Sequence, residues 1–211
     1  EILEKLSLLS AEGAISKISR FGLESAGFKI IGSALYDHNL RSFQRVDIGQ
    51  LAFGRNDIYG GLVRRPDGAW EIGFRGSTFD FSKLKDEFLD DKDKKFSKLV
   101  PDLSIAIELD RVWLDNKNKL NKTSGTFIHK GGFWHSILLK GDLDSGGALK
   151  IALTPDSSGN RTLDMEADNA GFVLDYLDYY TGMQGGKLWL TGQYNDLVPE
   201  RPLIGQHSLS P

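Results

Sequence analysis

The stretch Asp168-Asn-Ala-Gly-Phe-Val-Leu-Asp-Tyr-Leu-Asp-Tyr-Tyr-Thr-Gly-Met-Gln-Gly-Gly-Lys-Leu-Trp-Leu-Thr-Gly192 reads as a short capped helix, a glycine turn and a strand. Asp168 or Asn169 is placed to accept from the first free helical N–H groups. Val173, Leu174, Leu177 and Tyr180 recur at helical spacing and predict one apolar stripe. Gly182 is placed to leave the helix in a left-handed conformation, and Gly185-Gly186 permits a tight reversal. Leu188 and Leu190 then alternate with Lys187, Trp189 and Thr191, the period of a strand. Stripe and strand need a common apolar partner. The strands just before them, Ala148 to Thr154 and Arg161 to Ala167, supply it. The motif predicts a short helix capping the end of a sheet.

Working outward, the same alternation repeats. Ile105, Ile107 and Leu109 alternate with polar or small residues, and Val112-Trp-Leu114 extends that strand. Thr126 to His129, a Gly131-Gly132 turn and Trp134 to Lys140 read as a hairpin. Leu149, Ile151 and Leu153 form a strand, and Leu163, Met165 and Ala167 another. These elements compose a second β module, residues 101–198, with its helix near 169–181. Residues 85–100 form a charged connector with balanced signs, a solvated segment rather than a polyanion or polycation. A first β module, residues 27–84, precedes it. It contains Phe28 to Tyr36, then Val46, Ile48 and Leu51, then Ile58 to Val63, a turn at Arg64-Arg-Pro-Asp-Gly68, and the alternating Trp70, Ile72 and Phe74. Residues 1–26 are read as a helical lead-in, broken near Gly13. Residues 199–211 are read as a tail in which Pro199 and Pro202 interrupt any strand. The two modules echo each other: Gly61 to Trp70 and Gly125 to Trp134 place glycine, strand, turn and tryptophan at equal spacing. The predicted fold is mainly β: a curved antiparallel meander with an apolar groove face and a few short capping helices.

Composition bounds the function. The 211 residues carry a formal charge of −3, which gives no reason to expect a nucleic-acid partner. There is no cysteine, so disulfides and thiolate metal sites are excluded. No apolar run approaches the ~18–20 residues of a membrane-spanning helix. The chain begins at Glu1 rather than Met, which suggests a piece of a longer protein.

The search for chemistry returns little. His38, His129, His135 and His207 form no metal-ligand spacing, although His129 and His135 flank one turn. No nucleophile elbow and no phosphate loop is present. Asp164, Glu166 and Asp168 lie at period two, as a wet acidic stripe does. Trp113 and Trp189 fall out of phase with their leucine neighbours and are expected on the opposite face. The expectation is a non-enzymatic protein with no catalytic residue, metal or cofactor.

The helix–Gly-Gly–strand–Thr-Gly pattern of residues 168–192 resembles the AsmA-like family of bacterial envelope proteins. So does Gly60 to Gly76, followed by Thr78-Phe-Asp80. The resemblance runs from about Phe28 onward. It implies a periplasmic protein, anchored in the inner membrane outside this stretch, that conducts phospholipid along a hydrophobic β groove toward the outer membrane. On that reading Ile105, Ile107, Leu109, Leu149, Ile151, Leu153, Leu163, Met165, Leu188 and Leu190 form one surface for phospholipid acyl chains. The alternative is an envelope scaffold or outer-membrane assembly factor acting through protein–protein contacts.

Overall fold

Alternating apolar and polar residues make strands with one dry and one wet face, and such strands dominate the computed structural model of the chain. The structure describes residues 15–83, 100–157 and 160–194, and the backbone of 204–210. The strands are β1 (Ile15–Ser25), β2 (Phe28–Asp37), β3 (Ser42–Phe53), β4 (Asn56–Arg64), β5 (Trp70–Asp80) and β6 (Leu103–Trp113). They continue as β7 (Lys119–Lys130), β8 (Phe133–Leu143), β9 (Ala148–Pro155), β10 (Arg161–Ala167), β11 (Lys187–Tyr194) and β12 (Ile204–Ser210). All twelve lie in one sheet, in sequence order from β1 to β12. Every neighbouring pair is antiparallel except β5 and β6, which run parallel.

Four sequence expectations change. First, part of the helical lead-in is a strand. Ile15 to Ser25 pairs with β2, shifting register between Ile18 and Phe21. That bulge leaves Ser19 and Arg20 both exposed while Ile18 and Phe21 share the inward face. A bulged strand thus presents an i, i+3 spacing that reads as helical. Residues 1–14 lie outside the described part. Second, within the expected single sheet the two modules join through a parallel pair rather than an antiparallel one. β5 and β6 pair directly along Trp70–Leu103, Ile72–Ile105 and Phe74–Ile107. The charged connector falls almost wholly within residues 84–99, outside the described part. Third, the tail is not strandless, since β12 pairs with β11 from Gln193–Ile204 to Lys187–Ser210. Fourth, the echo between modules does not place equivalent residues together. Gly61 pairs with Asp47 on the polar face, whereas Gly125 pairs with Ile107 on the apolar face. The intervening turns differ: a Pro66 turn closed by Gly68 N–H to Arg65 carbonyl at 2.9 Å, against the Gly131-Gly132 reversal.

The core sits at one end of the apolar face. The helix α1 (Ala170–Tyr176) lies there, on Leu120, Leu143, Leu149, Ala167 and Leu188. Asn169, not Asp168, is its N-cap, accepting from the Phe172 N–H at 3.0 Å. The next orphan donors, Ala170 and Gly171 N–H, reach the carbonyls of Gly186 and Gly185 at 2.9 and 3.0 Å. That docking is why position 171 is glycine: a Cβ there would sit 2.2 Å from the Met183 carbonyl oxygen. The helix stops earlier than Gly182. Asp178 takes the left-handed conformation at φ 54°. Its N–H bonds to Asp175, and the Tyr179 N–H to Leu174, both at 3.0 Å, the paired bonds of a Schellman end. The expected stripe is therefore shifted. Ala170, Gly171 and Val173 are buried, whereas Leu177 and Tyr180 are exposed.

A second cluster, Ile58, Leu109 and Val112, packs under Phe81 of a 3-10 turn (Phe81–Lys83). Beside it a polar knot ties the seam. Arg55 donates to Asp80 and to the Asp115 carbonyl, Asp80 accepts from Ser82, and Asn56 accepts from the Asp80 N–H. No helix among the described residues is long and apolar enough to cross a membrane.

Candidate functional site

Register decides which side chains share a face. Ile107, Gly125, Leu139, Ile151, Met165 and Leu190 are successive partners from β6 to β11. Ile105, Phe127, Ile137, Leu153 and Leu163 form a parallel row. Leu149, Ala167 and Leu188 form a third. Leu109 belongs to the same strand face as Ile105 and Ile107. All ten residues expected on one surface are therefore on one surface.

The rows also run on through the first five strands, across the boundary expected between the modules. Ile107 pairs with Phe74, Phe74 with Gly60, Gly60 with Ile48, Ile48 with Gly32 and Gly32 with Phe21. The alternation of Ile72 and Phe74 carried that signal. The charge run after Lys85 masked it by suggesting a module boundary.

Burial along this face is graded. Leu109, Leu149, Leu153 and Leu188 are buried, at 5–7% exposure. Ile105, Ile107, Ile151, Leu163, Met165 and Leu190 are half-buried. α1 and the 3-10 turn cover one end, and the middle rows have no other helix over them among the described residues.

The far end is aromatic. Trp70 pairs with Leu103, Leu103 with His129, and His129 with Trp134. His129 is 2% exposed, and its ring meets Trp134 edge-on at 5.3 Å. Its Nδ1 lies 3.1 Å from the Pro101 carbonyl, so Nδ1 carries the proton and donates. Its Nε2 has no hydrogen-bond partner. Arg161 donates to the Trp134 carbonyl and lies over the rings of Phe133 and Tyr194 at 4.9 and 5.2 Å. His129 and His135 are not brought together as a metal pair, because His129 turns into the aromatic end. Among the described residues no group of three His, Asp or Glu side chains is arranged to hold a metal ion.

The opposite face is polar. The acidic stripe is satisfied by neighbouring strands: Thr191 donates to Asp164 at 2.9 Å, Lys150 pairs with Glu166 at 3.6 Å, and Lys187 with Asp168 at 3.5 Å. The Ala148 N–H, with the Lys187 ammonium, holds the Asp168 carboxyl below the usual carboxylate range. Trp189 is on this face, opposite Leu188 and Leu190, and pairs with Glu166. Trp113 joins it by a different route. Asp110 and Arg111 are both exposed while Leu109 and Val112 are both buried, so the pleat slips by one residue and Trp113 faces outward. Arg55 covers its ring at 4.6 Å. The concavity over the central strands also belongs to this polar face. A cavity of about 730 Å³ there is lined by Asp47 of β3, Arg75 of β5, Glu108 of β6 and Lys140 of β8.

Compared with protein-family models, curated proteins and solved structures, the chain matches none.

Proposed function

We propose that the chain binds phospholipid acyl chains along its apolar face and acts in phospholipid transfer across a bacterial periplasm, as the AsmA-like resemblance implies. The observation that carries the proposal is the half-buried middle of that face. Apolar rows run from β1 to β11 in a single layer, and α1 covers only one end. Contiguous apolar surface of this extent marks a contact site for lipid or protein. Each methylene moved from water onto it would gain about 0.8 kcal/mol. Headgroups would stay in water, and such transfer needs no nucleophile. The competing reading, an envelope scaffold, draws on β1, an edge strand on which Ile15 and Leu23 are more than half exposed.

Ile107→Asp and Ile151→Asp test the proposal, since both positions are half-buried in the central row. A carboxylate there places an unpaired charge where acyl chains would lie. The expected result is loss of fluorescent-phospholipid uptake with the denaturation midpoint retained. Unfolding of both variants would mean a closed core. Normal uptake in stable variants would remove this face from lipid binding and favour the scaffold.

A further inference from the structure

The polar face carries a second surface that acyl chains do not use. The cavity of about 730 Å³ continues along the strands in both directions. Toward Asp110 and Lys122 it runs into a neighbouring cavity that shares Tyr59, Arg75, Glu108 and Ser124 with it. Toward Arg45 and Glu71 it runs into another that shares Asp47, Gly73, Ala106 and Thr126. Together they form one trough beside β6 from Ser104 to Asp110, about 20 Å at strand rise. Its floor is low because the cross-strand row is small: Gly61, Gly73, Ala106 and Thr126 are successive partners. A Cβ added at Gly73 would meet nothing within 4 Å. The half-exposed ring of Tyr59 stands beside that floor.

We infer that this trough binds an extended, uncharged glycan chain. The lining narrows the chemistry. Arg75 and Glu108 are paired at 2.8 Å, and Arg45 and Asp47 at 2.8 Å. Over the whole trough Arg45, Arg75, Lys122 and Lys140 stand against Asp47, Glu71, Glu108 and Asp110, which leaves carboxylate lone pairs and cationic N–H groups for neutral hydroxyls with no surplus charge of either sign. A polyanion would meet Asp47 and Glu108. A peptide adding as a strand needs a free backbone edge, and here the floor backbone is spent in the ladder. Vicinal hydroxyls accept and donate at once, so they suit paired ions and the Ser124 and Thr126 hydroxyls. The C–H face of a sugar ring suits an exposed tyrosine, with its apolar body and polar tip.

The test is titration of the chain with cellohexaose and chitohexaose, and with a heparin hexasaccharide as the polyanionic control. Amide NMR shifts and calorimetry are the readouts. The expected result is saturable shifts at Tyr59, Gly73, Ser124 and Thr126 with at least one neutral hexasaccharide and none with heparin. Tyr59→Ala should weaken binding at least tenfold. Gly73→Trp, which fills the trough, should abolish it. Both variants should take up fluorescent phospholipid normally, so failure here is separable from failure of the lipid reading. If Gly73→Trp fails to fold, Tyr59→Ala alone decides. No shift with either neutral sugar, heparin binding in their place, or full affinity in a folded variant would overturn the inference.

Discussion

Asp80 shows what one buried charge does in this sheet. Its side chain is 7% exposed and lies 2.9 Å from the Arg55 guanidinium. Burial pushes its carboxyl up, but the Ser82 hydroxyl and N–H and the Arg55 guanidinium outweigh burial and hold it below the ordinary range. A depressed folded value means the ionised form stabilises the fold above the unfolded pKa of about 3.9 and loses that effect as pH falls through the lower folded value. Asp80→Asn should therefore cost roughly 1.5–3 kcal/mol at neutral pH, the range for hydrogen bonds to charged groups. The gap to wild type should narrow below about pH 4. Urea midpoints at pH 7 and pH 3 check this, and an equal gap at both would refute the assignment. Nothing in the spacing of Arg55, Asp80 and Asp115 announced the knot, because residues 25 and 60 positions apart meet only through the sheet.

Among elements, α1 was legible in kind and misread in face. Its cap, its glycine reversal and its place at the sheet's end follow from local chemistry. The buried stripe did not, because the helix ends at Tyr176 and Leu177, its C-cap, is left exposed as the chain turns left-handed at Asp178. Truncations separate the two. Leu120→Ala, at 1% exposure, should cost about 2–5 kcal/mol. Leu177→Ala, at 50% exposure, should stay within about 0.5 kcal/mol. Chemical denaturation of both variants checks this, and equal losses would mean that Leu177 packs as the helical period suggested. A bulge accounts for the lead-in, where a strand reads as helix. Ile18 with Phe21, Ile48 with Leu51, and Leu109 with Val112 each reach one face across two intervening residues. A period-two template loses such strands, and a helical template claims them.

For the whole molecule, period-two alternation was enough to assign the apolar face, since every residue expected on it is there. Which way the sheet bends was not legible. Concavity depends on where small residues such as Gly73 and Ala106 line up across strands, and that needs the register. The sequential strand order has a further consequence. In the ladder each strand pairs only with those beside it, and α1 adds a common tie from β7 to β11, so the sheet is close to a one-dimensional array of coupled units, whose stability is a sum of neighbour terms. Such an array opens from its ends and at its weakest joint. The parallel seam is the expected weak joint, since among the described residues it closes the long connection from Phe81 to Asp102 without the helix packing that ties β10 to β11 across theirs. Native-state hydrogen exchange should therefore resolve two blocks, β1–β5 and β6–β11, with different opening free energies. Asp80→Asn should lower protection in the first block more than in the second. A single shared opening free energy for all the strands would show instead that the sheet melts as one body. If the blocks are real, the seam is a place where the protein can come apart without unfolding, and the knot at Asp80 is its clasp.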